Sequence, residues 1–421
     1  MFAVPFRLSQ VCSRWRNLVI FAPQLWSTIF LDLREKNPNP ALESYLERSE
    51  DLPLDITVYD GLLRGQSDNW SEADGAWVFQ TIMKCCMPRL RRLSMLVYNS
   101  RLVFAAELPS DPTFQCLEFL HIRGSHSYPA WFYDAICHAP GLETIVLEDE
   151  MIFPRRIFST RSGLRSLKAL QLSGARGHLI PEILSHPTLE SLVIANFHQS
   201  IPSAPSTSSH SLRHISLPFI RYSHALLQSA YLPNLESMSI RLMREFNDEK
   251  DLLSLLSKYA SSVRKFRLLS GDSSILDDSG SRIIHLVHSL PNVTQFEIII
   301  PSLRSSPAGT LQGTICRLFS VLARGPKTGL CLESFTIILG MVTLTEKMID
   351  GFLEMVEHRV QRHTQGAVSP MKSAYLAGAN FRHSRKEEAF ARKDALEAQG
   401  VRCDFSGARA QTPDGSLPWW S

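Results

Sequence analysis

Ten times between residues 90 and 337 the chain repeats one short frame: an aliphatic residue, two variable positions, a large apolar residue, one variable position and another apolar residue. The frames are Leu90/Leu93/Met95, Leu117/Leu120/Ile122, Leu142/Ile145/Leu147, Leu167/Leu170/Leu172 and Leu189/Leu192/Ile194. They continue as Leu212/Ile215/Leu217, Leu235/Met238/Ile240, Val263/Phe266/Leu268, Val293/Phe296/Ile298 and Leu332/Phe335/Ile337. First positions lie between 22 and 39 residues apart. A single match means little, but the period constrains the chain strongly. Within each frame the alternation turns every second side chain to one side, as a half-buried strand requires. Proline precedes the frame by two places at Pro88, Pro140, Pro187, Pro233 and Pro291. There it stops a helix and forces an extended entry into the strand. Glutamate follows the first aliphatic residue at Glu118, Glu143, Glu190, Glu236 and Glu333.

Between frames, apolar residues cluster at helical spacing. Examples are 251–261, 283–290, Ile315/Leu318/Phe319/Leu322 and Met348/Phe352/Met355/Val356. Strand, turn and helix at this period resemble leucine-rich repeats, in which no unit can bury its apolar face without its neighbours. The resemblance implies an α/β solenoid with a parallel concave sheet and outer helices. Three places after the frame, where the family carries an asparagine or cysteine ladder, this chain has Tyr98, Ser125, Glu150, Ala175, Phe197, Ile220, Met243, Gly271, Pro301 and Gly340. Uneven curvature is therefore expected. Alternation at Ile29/Leu31/Leu33 and Leu54/Ile56/Val58, with a helix from 40 to 49 between them, extends the pattern upstream. Ala374/Leu376, a charged helix from 385 to 398 and Val401/Cys403/Phe405 read as a closing unit.

The first thirty residues carry a different signal. Leu8, Val11, Cys12, Trp15, Leu18 and Val19 form an apolar helical stripe that ends at Ala22-Pro23, after which Leu25-Trp26 returns a bulky pair to it. The run Val11-Cys12-Ser13-Arg14-Trp15-Arg16 followed by Leu25-Trp26 resembles the second half of an F-box. That module docks on the Skp-type adaptor of a cullin–RING ubiquitin ligase. Its usual opening helix, with a Leu-Pro-x-Glu signature, is not among these residues. The resemblance implies adaptor docking through Leu8, Val11, Cys12, Trp15, Leu25 and Trp26, some of which must serve the module's own core. Adaptor binding is expected to be weak or absent without the opening helix. An F-box segment ahead of degenerate repeats resembles the F-box proteins of fungi.

The expected organisation is a truncated F-box-like segment over 1–28 and irregular N-terminal repeats and a connector over 29–88. The repeat solenoid follows over 89–405, with a disordered tail over 406–421. The 421 residues balance 44 Lys+Arg against 41 Asp+Glu, which gives no reason to expect nucleic acid or a membrane as partner. Eight scattered cysteines without a Cys-x-x-Cys fit buried thiols in a reducing compartment. With no leader-like N-terminus, the expected location is cytoplasmic and/or nuclear. His285-x-x-His288 has ligand-like spacing but no third donor at a matching offset. Gly325-Pro326-Lys327-Thr328 lacks the upstream glycine of a phosphate loop, and no nucleophile motif occurs. A non-enzyme is expected, with no cofactor and no metal.

The function this implies is substrate recognition for a ubiquitin ligase of the SCF type. A stand-alone repeat scaffold is the alternative. The protein target should meet outward strand residues: Arg92, Phe119, His121 and Arg123 early, small residues such as Ala169, Ser191 and Ala195 in the middle, and His214, Ser237, Arg241, Lys265, Arg267, Gln295 and Glu297 late. His214, Arg241, Lys265 and Arg267 are the candidate target residues, since a basic strip suits an acidic or phosphorylated segment. Neutralisation of that strip by Glu297 and Glu236 is the competing expectation.

Overall fold

In the computed structural model the described residues are 4–33, 39–59, 72–97, 113–124, 128, 130–148, 164–175, 179–196, 207–219, 221–242, 249–270, 281–300, 308–324, 331–381 and 386–406. The chain divides into two compact units, Met1–Leu212 and Arg213–Ser421. The expected disordered tail lies outside the described residues except for Ser406, which ends a strand. Residues 200–206, 301–307 and 325–328 also lie outside them.

In the first unit two short helices, α1 (Val4–Ser9) and α2 (Ser13–Ile20), precede seven strands. These are β1 (Thr28–Asp32), β2 (Leu54–Tyr59), β3 (Leu90–Leu96), β4 (Phe119–Arg123), β5 (Thr144–Glu148), β6 (Ala169–Leu172) and β7 (Ser191–Ile194). Each pairs in parallel with the next in chain order. Helices α3 (Asn39–Arg48), α4 (Glu72–Thr81, continued by a π-helical turn Ile82–Cys86), α5 (Ala130–Cys137) and α6 (Ile180–Leu184) lie between them. The second unit runs β8 (His214–Phe219), β9 (Ser237–Leu242), β10 (Lys265–Ser270), β11 (Gln295–Ile300), β12 (Ser334–Leu344), β13 (Ser373–Phe381) and β14 (Arg402–Ser406). It too pairs in parallel throughout. Its helices are α7 (Arg221–Ser229), α8 (Glu249–Tyr259), α9 (Ser281–His288), α10 (Ala308–Arg324), α11 (Glu346–Thr364) and α12 (Lys386–Ala398). This is a leucine-rich-repeat architecture of α/β class.

All thirty frame residues are at most 5% exposed. Register aligns them: Leu93, Leu120, Ile145, Leu170 and Leu192 form one row in the first unit, and Met238, Phe266, Phe296 and Phe335 another in the second. Helices cover this side. Phe319 of α10 meets Phe335 edge-on at 6.3 Å and Phe352 of α11 at 5.7 Å.

The position after the first aliphatic residue has a backbone role that its glutamates alone do not announce. Its carbonyl accepts two amides from the next repeat. Glu118 O receives the N–H groups of Glu143 and Thr144 at 2.9 and 3.0 Å, and Lys168 O those of Glu190 and Ser191 at 2.8 and 2.9 Å. In the second unit Arg213, Glu236, Arg264, Thr294 and Glu333 repeat the arrangement. At several places neighbouring side chains at this position have opposite signs. Lys168 reaches Glu143 at 2.7 Å, Arg213 reaches Glu236 at 3.4 Å, and Lys372 reaches Glu333 at 2.6 Å. These pairs are exposed, so each adds little by itself, but a row of like charges would repel.

Helix ends are closed from the neighbouring repeat. The Lys258 ammonium donates to the last carbonyls of α7, Leu227, Gln228 and Ala230, at 3.0, 2.6 and 2.6 Å. The Tyr259 hydroxyl lies 2.8 and 3.0 Å from two of the same carbonyls and has one proton to share between them. Arg362 does this for α10 at Ala323 O, while Arg89 ties the segment just after α3, donating to Leu52 O and Ser49 Oγ. A cation there meets unsatisfied carbonyls and the negative end of the helix dipole together.

Leu192 is fully buried in the row of β7. Leu192→Ala should destabilise the first unit by about 2–5 kcal/mol, and Leu192→Asp by more, because it adds an unpaired buried charge. Urea denaturation followed by circular dichroism measures both. Lys258→Met keeps the apolar stem but removes the ammonium, and should lower the second unit's stability by about 1 kcal/mol. An unchanged denaturation midpoint would mean that water serves those carbonyls equally well.

Candidate functional site

Three surfaces hold the residues that the sequence singled out. At the N-terminus the apolar stripe is broken into two helices, not one. Cys12 caps α2 with its sulfur, which accepts from Trp15 N at 3.5 Å. Only Val19 of α2 is buried. Trp15 is 47% exposed, Leu18 59% and Phe21 83%, and Val11 and Leu25 are exposed as well. Helical spacing aligns Trp15 and Leu18 on one side of α2, with Val11 at its entry and Phe21 at its exit. Leu8 is half-buried and Cys12 exposed.

Trp26 requires a correction. Grouped with the docking residues by sequence, it is 0% exposed. Its indole N–H donates to Val19 O at 2.7 Å, its ring packs edge-on against Phe6 and Tyr45 at 5.3 Å each, and the Arg48 guanidinium lies over it at 4.4 Å. Trp26 therefore fastens the helical pair to α3, the internal-core role expected of some of this set.

The outward face of the first unit carries aromatic and charged residues. Phe30 of β1 is about half exposed and lies 6.5 Å from Tyr59 of β2. The Arg92 guanidinium sits 4.4 Å over the Phe119 ring. One strand row further, His121 and Arg123 of β4 both meet Glu148 of β5, at 3.1 and 3.3 Å. The hydrogen bond from His121, then the positive charges of His121 and Arg123, hold the Glu148 carboxyl below its ordinary range against the opposing effect of burial.

On the second unit, register sorts the outward residues into rows. One row runs His214, Ser237, Lys265, Gln295, Ser334, Ser373 and Arg402. The next runs Ser216, Ser239, Arg267, Glu297, Thr336, Tyr375 and Asp404. The third contains Pro218, Arg241, Leu269, Ile299, Ile338 and Ala377. Leu269, Ile299, Ile338 and Ala377 form a buried cluster with Tyr375 against it, although they lie on the side away from the frame residues. The frame did not reveal this row. The consecutive apolar residues Leu268-Leu269, Ile298-Ile299-Ile300 and Ile337-Ile338-Leu339 carry the signal, because burial on both faces replaces alternation by a run.

This corrects the basic strip. Arg241 is in register with Leu269, not with Arg267, and lies in the third row, half-buried, where desolvation lowers its pKa. Arg267 pairs with Glu297 of the next strand, as the competing expectation had it. Lys265 is exposed, and its ammonium makes no hydrogen bond or ion pair among the described residues. A cleft of about 480 Å³ opens here, lined by Ser237, Ser239, Lys265, Arg267, Gln295, Glu297, Ser334 and Thr336 with Phe266 and Phe296 at its floor. His214 is exposed one strand away from it.

His285 and His288 are exposed, and no cluster of three or more His, Cys, Asp or Glu suited to a metal occurs among the described residues. The eight cysteines are unbridged. No described helix is long and apolar enough to cross a membrane.

No family model matches the chain, and no curated protein does. Among solved structures it is similar to TLR13 in its complex with ssRNA13, at 14% identity over 75% of this chain and 45% of that one, with a TM-score of 0.42. The chain thus spans less than half the length of that protein, and the likeness bears on neither ligand nor activity.

Glu148 gives a pH test. Its folded pKa is lowered, so the unfolded chain takes up the proton first as pH falls. The stabilisation is complete above the ordinary carboxylate range and is lost as pH drops through the lowered value. Glu148→Gln should remove that part of the first unit's acid sensitivity. Urea midpoints measured from neutral to acid pH should fall less steeply in the variant than in the parent.

Proposed function

We propose that this chain is a non-enzymatic protein-interaction scaffold and acts as the substrate-recognition subunit of an SCF-type cullin–RING ligase, in the cytoplasm and/or nucleus. The repeat architecture supports the scaffold part, because strand rows that hold their own core on one side leave the other side's residues to a ligand. The observation that carries the ligase part is the exposed apolar side of α2: Trp15, Leu18 and Phe21 stand in water while Trp26 anchors the pair from beneath. Exposed aromatic and aliphatic residues in one place mark a docking surface. Together with the Val-Cys-x-x-Trp…Leu-Trp resemblance, this favours a Skp-type adaptor as the partner. The ligase would then act by proximity, holding a target close to a charged conjugating enzyme.

Pull-down of the purified chain with the adaptor tests the reading. Capture should be weak, strengthen when an F-box opening helix is grafted ahead of Met1, and fall about tenfold or more in the grafted chain carrying Trp15→Asp and Leu18→Asp. Phe30→Asp, on β1, serves as a control and should leave capture unchanged. No capture with the graft, or capture indifferent to the double substitution, removes the ligase part and leaves a stand-alone scaffold.

A further inference from the structure

β1 is an edge strand, paired with β2 alone. Two hydrogen bonds fix which way its backbone points. Ser27 O accepts from Asp55 N at 2.9 Å, and Leu33 N donates to Tyr59 O at 2.8 Å. The odd-numbered residues from Ser27 to Leu33 therefore direct their N–H and C=O groups to β2, and Thr28, Phe30 and Asp32 turn theirs to the free edge. Thr28 and Phe30 are exposed, and neither makes a backbone hydrogen bond among the described residues. The last strand differs. Arg402 N donates to Lys372 O, so Val401, Cys403 and Phe405 hold the edge-side groups of β14, and they are 3%, 0% and 4% exposed.

An open edge is a template for another strand, and proteins blunt it with lysine, proline or a bulge. β1, Thr-Ile-Phe-Leu-Asp, has none of these, and its register with β2 is unbroken. Its β-branched and aromatic residues favour an extended chain. The strand is also complementary to itself. When it is laid antiparallel on a second copy, about a twofold axis through Phe30, all 5 residues overlap. The two Phe30 backbones then exchange both N–H···O=C bonds, and their half-exposed rings, each beside a Tyr59, meet across the axis. Thr28 comes opposite the second copy's Asp32, a hydroxyl donor against a carboxylate acceptor. In-register parallel pairing, or a shift that brings Asp32 opposite Asp32, sets like charges side by side. We propose that this chain forms a twofold dimer by antiparallel pairing of its β1 edges, in register about Phe30. The dimer has one continuous sheet with the outward strand faces of both copies on the same side, and so can hold a target at two places at once. It uses β1 and not the exposed side of α2, and stands independently of the ligase reading.

Sedimentation velocity of the purified full chain over a concentration series tests this. The parent should pass from monomer to dimer as concentration rises. Phe30→Asp puts two carboxylates at the axis and should raise the dimer's dissociation constant about tenfold or more. Thr28→Lys, opposite the second copy's Asp32, should lower that constant, and Thr28→Asp should raise it. Both positions are exposed, so each variant should keep the parent's circular dichroism spectrum. Phe30→Asp should leave adaptor capture unchanged, so loss of the dimer and failure of the adaptor reading give different results. A chain that stays monomeric throughout, a dimer indifferent to Phe30→Asp, or the same response to Thr28→Lys and Thr28→Asp overturns the inference.

Discussion

The constraint on which everything else depends is that one repeat cannot desolvate its own three inward residues. Leu189, Leu192 and Ile194 lose water because the corresponding residues of the neighbouring repeat lie alongside them in register. Backbone amides reinforce this. In most repeats, from Glu118 to Glu333, the carbonyl after the first frame position takes two N–H groups from the following repeat, which fixes those repeats at strand spacing and opposes slippage by one residue. A slip of that kind would turn the whole inward set outward. Hydrophobic burial and hydrogen-bond register thus demand the same arrangement, and that agreement lets a frame with three required positions tolerate such variable intervening sequence.

Because the frame occupies alternate positions, it also determines which residues are left for function. Lys265 and Arg267 flank Phe266, and Gln295 and Glu297 flank Phe296. The buried phenylalanines set the height and spacing of their polar neighbours. The neighbours can change without disturbing the row beneath, which is why a repeat array can take on new ligands while keeping its core.

Much of this was legible in the chain. The strands follow from alternation, and the helices at 249–259, 308–324 and 346–364 from helical apolar spacing. What was not legible has identifiable causes. Trp15 and Trp26 belong to one apolar pattern, and composition cannot say which of two tryptophans meets Phe6 and Tyr45 and which faces water. Arg241 looked like a neighbour of Arg267 because counting from the frame gives a strand's side and ignores displacement along it. Register puts them two positions apart. The glutamates after the first aliphatic residue were visible, but their partners are the basic residues at the same position of adjacent repeats, Lys168, Arg213 and Lys372. Searching for one residue type hides these opposite-sign pairs.

The third outward row explains why the cleft is where it is. In β10 to β13 the C-terminal half of each strand is apolar on both sides, with Leu269, Ile299, Ile338 and Ala377 buried away from the frame residues. Gly378 belongs to the same device: a Cβ there would come within 2.6 Å of Val342 O, so its absence admits the extended end of β12 over β13. Polar side chains are therefore confined to the two rows at the strands' N-terminal half, beside a wall that excludes water from one flank. The row next to that wall holds Arg267 and Glu297, whose ion pair is partly buried and so less screened than a pair on an open strand face. Lys265 lies one row further from the wall and is exposed, so it remains a solvated lysine.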